Sequence, residues 1–175
     1  EDRLYPLAGF GTTNDKFLVK SNASDTSVND FRYINQALFA YYNIEGDITF
    51  ATGEFQTIGK GLIFTGSIDG KNAGSAEEGS VSSLLNVTDA LIDNNKGTIT
   101  DLVVNISYAS TAIHQAGRDY DLVFGAIANY NEGVIRNVTV SGDIVITAER
   151  MAAVVVSGFV GIDNGGVITG DSKIQ

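Results

Sequence analysis

The chain has 175 residues, enough for one domain with a substantial core and too few for two ordinary ones. Twenty glycines against one proline, 43% hydrophobic residues and abundant Val, Ile, Thr and Tyr describe a β protein with little helix. A net charge of −10 and a pI near 4.3 set the surface against nucleic acid and anionic lipid, and the absence of cysteine excludes disulfides and thiolate metal sites.

Residues 1–29 have weak periodicity. Apolar pieces around Leu4, Leu7 and Phe17-Leu18-Val19 give way to polar turn material from Ser21, which predicts an extended N-terminal arm. Ser27-Val28-Asn29-Asp30 has the form of a capping box, and Phe31, Ile34 and Leu38 follow at helical spacing. This predicts a helix over residues 30–40 that caps the domain formed by residues 30–175.

From Tyr41 onward the pattern is β. Tyr42 to Phe50 alternates well, residues 55–58 continue it, and Leu62 to Ile68 reads as one strand closed by the turn signal Asp69-Gly70-Lys71-Asn72. Residues 73–80 read as a polar loop, and residues 81–87 and 90–92 as further strand. Then the pattern Asn-x-Gly-x-Ile appears three times: Asn95, Gly97 and Ile99; Asn131, Gly133 and Ile135; Asn164, Gly166 and Ile168. Asn and Gly tolerate the backbone of a tight corner, and the apolar residue that follows starts a strand with its side chain inward. Similar sequence also flanks each copy, with residues 108–119 as an insertion in the first repeat. The second repeat supplies strands over residues 134–140, 144–148 and 154–160, which suits a coil of three faces.

A fixed period of this size means stacked units that bury each other's apolar faces. The predicted fold is all-β, a right-handed parallel β-helix or β-solenoid with a short N-terminal capping helix; the alternative is a β-sandwich with three unrelated turns. In a solenoid the corners lie above one another, so Asn95, Asn131 and Asn164 would form a column joined by side-chain amide bonds.

Tyr42-Asn43-Ile44-Glu45-Gly46-Asp47-Ile48, Phe55-Gln56-Thr57-Ile58-Gly59 and Phe64-Thr65-Gly66-Ser67-Ile68-Asp69-Gly70, with the Asn-x-Gly-x-Ile repeats, resemble GLUG-motif bacterial surface proteins over about residues 31–168. Those proteins read Y-x-L-x-x-D-I, W-x-P-I-G and F-x-G-x-F-D-G-N-G before their N-x-G-x-I-x-N-V repeats. Here Val123-Phe124-Gly125-Ala126-Ile127 and Ser157-Gly158-Phe159-Val160-Gly161 stand for the family's V-G-G-x-V-G, and Lys71-Asn72-Ala73 replaces its N-G pair. The resemblance implies a β-helical module of a large, secreted, multidomain protein.

Catalytic residues are not evident. The one histidine, His114, lies in the insertion, without an H-E-x-x-H zinc motif or a G-x-S-x-G nucleophile elbow. Pectinolytic β-helices cluster carboxylates along a groove; Asp47, Asp69 and Asp101 are the candidates for such an arrangement, though each also sits where a turn favours aspartate. Residues 69–72 and 163–166 resemble fragments of calcium loops without completing one, so no metal and no cofactor are expected. Asn22, Asn86, Asn105 and Asn137 head Asn-x-Ser/Thr sequons and are candidate glycosylation sites.

No apolar run approaches the roughly 18 residues of a membrane span; residues 151–162 are broken by Gly158 and Gly161. The chain starts at Glu1 and stops soon after the third repeat opens, which suggests a processed chain or an excerpt. The expectation is a non-catalytic, secreted or cell-surface structural or adhesive module. Its partners would be neighbouring domains, copies of itself, or a glycan or host surface, and not nucleic acid or a membrane interior. One alternative is a self-assembling filament subunit whose arm docks on the next copy through Leu4, Leu7 and Phe10; the other is a carbohydrate-active β-helix enzyme.

Overall fold

The computed structural model describes residues 7–21, 30–71 and 80–175. Strands stack in parallel, coil on coil, into a β-solenoid of about four turns. The first face carries β2 (Tyr41–Glu45), β5 (Ser67–Asp69), β8 (Thr98–Ala112), β11 (Val134–Ala148) and β14 (Val167–Thr169), in that order. β1 (Phe17–Lys20) flanks β2 at one edge, with Phe17 opposite Tyr42. The second face carries β4 (Ile58–Phe64), β7 (Ile92–Asn95), β10 (Ala128–Asn131) and β13 (Val160–Asp163). The third continues from the first beyond a bend: β3 (Ile48–Thr49), β6 (Ser82–Val87), the distal halves of β8 and β11, and β15 (Lys173–Ile174). A short ribbon of β9 (Leu122–Gly125) and β12 (Val154–Ser157) precedes β10 and β13.

Alternation along these strands fills the interior. Ile68, Ile99 and Ile135 lie in one register row and are fully buried, as are Leu102 and Val138 in the row beyond the bend. Each residue of a parallel stack thus packs on its counterpart one coil away, so the core is built of like on like.

Three expectations change. The helix predicted over residues 30–40 is a 3₁₀ helix, Asp30–Gln36, followed by further i to i+3 bonds from Ala37 N–H to the Ile34 carbonyl and from Ala40 N–H to the Ala37 carbonyl. The reason is visible in its buried residues: Phe31 and Ile34 are three apart, and a 3₁₀ turn eclipses them on one side whereas an α-turn staggers them. Phe31 sits edge-on to Phe50 at 5.1 Å and against Phe55 at 5.9 Å, so the helix does plug the apolar end of the first coils. The proposed capping-box residues 27–29 lie outside the described residues. Second, the part of the N-terminal arm that is described belongs to the body: β1 pairs with β2, and Val19 and Leu7 are buried. Third, the strand predicted over residues 62–68 is two strands, broken at a corner at Thr65-Gly66.

Candidate functional site

The corner between the second and first faces carries a buried column of polar side chains. Asn95 and Asn131 are both fully buried, and the Nδ2 of Asn95 donates to the Oδ1 of Asn131 at 2.8 Å. The Oδ1 of Asn95 accepts the Gly97 N–H two residues on at 3.1 Å, which closes the corner. The backbone ladder runs through the bend without a gap: Glu132 N–H donates to the Asn95 carbonyl, Val134 N–H to the Gly97 carbonyl, and Val167 N–H to the Gly133 carbonyl. Gly97 and Gly133 are required by contact, since a Cβ on either would strike the carbonyl oxygen of Gly66 or Gly97 one coil below.

The third member of the column is not Asn164. Asn131 donates from Nδ2 to the Oδ1 of Asp163 at 3.0 Å, 32 residues on, and Asp163 pairs with Asn131 in the sheet. Asn164 is exposed, and Ile168, opposite Ile135, is 46% exposed because no described strand covers it on its far side. The corner at 163–166 holds one residue more than the corners beneath it, with Gly165 at φ 94° absorbing the extra length. Matching Asn-x-Gly-x-Ile backward from Ile168 therefore lands one place beyond the column.

A second column lines the bend between the first and third faces. Asp101 and Asn137 both take left-handed backbone, φ 53° and 54°, and Asn137 donates to the Asp101 carboxylate at 2.9 Å while accepting the Asp171 N–H at 3.1 Å. Asx residues tolerate this conformation best after glycine, and Gly170 takes it in the next coil at φ 67°. A third polar pair, Asn129 to Asp93 at 2.9 Å, ties the second face from outside.

The acidic candidates are engaged in the same kind of work. Asp47 accepts the Ser83 N–H at 2.8 Å, and Asp69 pairs with Lys16 at 2.7 Å while accepting the Lys71 N–H. Asp101 holds Asn137. The described residues contain no group of three His, Cys, Asp or Glu placed to hold a metal ion. His114 lies 3.3 Å from Asp121, whose carboxylate fastens the insertion to the next coil by accepting N–H bonds from Gln115 and Ala153 at 2.6 and 2.8 Å. The Ala153 and Gln115 amides, followed by His114, hold the Asp121 carboxyl below the usual carboxylate range against an opposing effect of burial.

Of the sequons, Asn137 and Asn105 spend their side-chain amides inside the sheet, Asn105 on the Ser141 hydroxyl at 3.2 Å. Asn86 is exposed at φ 61° and reaches the Phe50 carbonyl at 3.4 Å. Asn22 lies outside the described residues, as does Asn72 of the first calcium-like fragment.

Sequence reading gave no hint of a cleft of about 430 Å³ beside the 3₁₀ helix, lined among others by Asn35, Thr57, Lys60, Leu62 and Asp89. Its residues come from three separate segments and share no motif, so only the fold brings them together. The described residues hold no helix long and apolar enough to cross a membrane. No protein-family model, no curated protein and no solved structure matches the chain.

Proposed function

We propose that this chain is a non-catalytic, extracellular module that acts as a rigid structural or adhesive element of a surface protein. The observation that carries the reading is the corner column: two fully buried asparagines and an aspartate bonded coil to coil, with an unbroken backbone ladder on either side. Such a column resists both slippage of register and bending at the corners, the properties a spacer needs. The acidic composition supports a location where neither nucleic acid nor anionic lipid is the partner. Protease treatment of intact cells tests the location. Release of this chain without lysis is expected, and its complete protection behind an intact membrane would overturn it.

A second reading, self-assembly, is favoured by Val167, Ile168 and Ile174, exposed at 51%, 46% and 60% along the last coil. Exposed apolar strand edges recruit further strands. In that reading Leu7 cannot reach another copy as the sequence suggested, because it is 2% exposed in its own core; Phe10, 81% exposed, remains free to do so. Sedimentation across a concentration series separates the two, with growth of the species favouring assembly.

A further inference from the structure

From the cleft beside the 3₁₀ helix we infer a binding site for the terminal residue of a neutral glycan. The inference supplies the adhesive form of the proposed function with its ligand class and rests on that form; the spacer form stands without it.

The walls are fixed in advance. Asn35 on the helix accepts the Gly59 N–H at 2.7 Å and donates to the Thr57 carbonyl at 3.4 Å, which pins the loop before β4 to the helix. On the other side the Gly61 N–H donates to Asp93 at 2.8 Å. Gly59 and Gly61 both take left-handed backbone, at φ 64° and 73°, so the segment holds a shape that most residues would oppose. A cleft whose backbone does not need to be ordered on binding loses less affinity to conformational entropy. Its volume of about 430 Å³ falls within the roughly 300–1,000 Å³ of small-ligand sites.

The polar groups point to the ligand's chemistry. Thr57 lines the cleft, is 7% exposed, and its hydroxyl has no hydrogen-bond partner among the described residues. A buried hydroxyl left unpaired is costly, and the group accepts as well as donates, so a ligand hydroxyl satisfies it in either sense. The oxygen is shut off from solvent in this rotamer, so a ligand reaches it only after a turn of Thr57 about χ1. Lys60 and Asp89 face each other at 3.8 Å across the rim, 80% and 37% exposed in their side chains, close enough to attract and too far for a tight bond. Together they supply one cationic donor and one anionic acceptor with no net charge. An anionic ligand would meet Asp89 and a chain of net charge −10, and a cationic one would meet Lys60. Neutral polyols match best, because each of their hydroxyls both donates and accepts. Leu62, 60% exposed at the rim, offers an apolar surface to the C–H face of a sugar ring.

Titration of the whole chain with the methyl glycosides of glucose, galactose, mannose and N-acetylglucosamine, followed by two-dimensional amide NMR, tests the assignment. The blocked anomeric carbon imitates a residue linked to a glycan. At least one glycoside is expected to bind in the millimolar range and to shift the amides of residues 35, 55–62 and 89. Thr57→Val removes the hydroxyl at constant shape and should weaken binding about tenfold, the worth of one hydrogen bond, without lowering the melting temperature. Lys60→Met, at an exposed position, should weaken it several-fold. Galacturonate should bind more weakly than the galactoside. Silence of these amides with every glycoside, shifts confined to another surface, binding undiminished in both variants, or binding only of free reducing sugars would overturn the glycan site. None of these results touches the spacer reading, which is judged on location and rigidity.

Discussion

Asn95 and Asn131 meet side chain to side chain at 2.8 Å in the middle of the protein, each with no surface exposed to water. Asn131 is the central member of its column, since it also donates to Asp163 at 3.0 Å. Truncating it leaves the Asn95 amide without its acceptor in a dry interior and removes the link to the last coil. Asn131→Ala should cost about 2–3 kcal/mol by denaturant unfolding. Asn94→Ala, one residue outside the column and partly exposed, should cost under about 0.5 kcal/mol. Equal effects would mean that the column is not what holds the corner.

The repeat was legible because its corners are built from residue types chosen by contact between coils, Asn for the side-chain bond and Gly for the close approach. The glycine recurs at each of these corners and the asparagine at the two middle ones, so they leave a period in the sequence. Phe64-Thr65-Gly66 does not stand out as the first such corner because Phe64 takes the asparagine's place, opposite Asn95, and only Gly66 and Ile68 keep the pattern. Asn164 was misplaced because one inserted residue shifts the third corner, and an insertion in a loop costs little while the register on each side is fixed by burial. β1 reads in the sequence as part of an extended arm because four residues are too few to display a period of two. The cleft was not legible at all: Asn35, Thr57 and Asp89 become neighbours only through stacking.

Ile135 and Ile168 stand opposite each other in the sheet, yet one is fully buried and the other 46% exposed. Ile135→Asp places a charge without a partner in the core and should cost about 4 kcal/mol or more. Ile168→Asp should cost less than half as much. Thermal unfolding of the two variants side by side checks the order, and a milder loss at Ile135 would contradict the inward row.

Gly133 does not have positive φ, but a Cβ there would collide with the Gly97 carbonyl oxygen, whereas Gly53 has φ 78° and open space around it. If coil contact governs, Gly133→Ala should destabilise by about 2–3 kcal/mol and Gly53→Ala by about 1 kcal/mol. The reverse order, measured by urea unfolding, would mean that backbone strain outweighs stacking.

Asp121 ties the loop after β8 to Ala153 with a carboxyl held below its ordinary range by the Ala153 and Gln115 amides. A depressed folded value means that the carboxylate stabilises the fold above its unfolded pKa of about 3.9, and that this contribution is lost as pH falls through the lower folded value. The difference in melting temperature between the native chain and Asp121→Asn should therefore be present at neutral pH and close as the pH drops below about 4. A difference that persists unchanged at the acid end would count against the carboxylate's role.

The parallel stack itself is tested most directly by interstrand nuclear Overhauser effects between β8 and β11. In the solenoid, Thr98 faces Val134, Val103 faces Thr139 and Ala112 faces Ala148, so every pair differs by the same 36 residues that separate Asn95 from Asn131. Backbone contacts at that constant difference, continued into the last coil at a difference of 33 from Val134 to Val167 and from Ile135 to Ile168, are the expected result. Contacts between the same two strands in which one number rises as the other falls would show an antiparallel pair, and with it a sandwich rather than a solenoid.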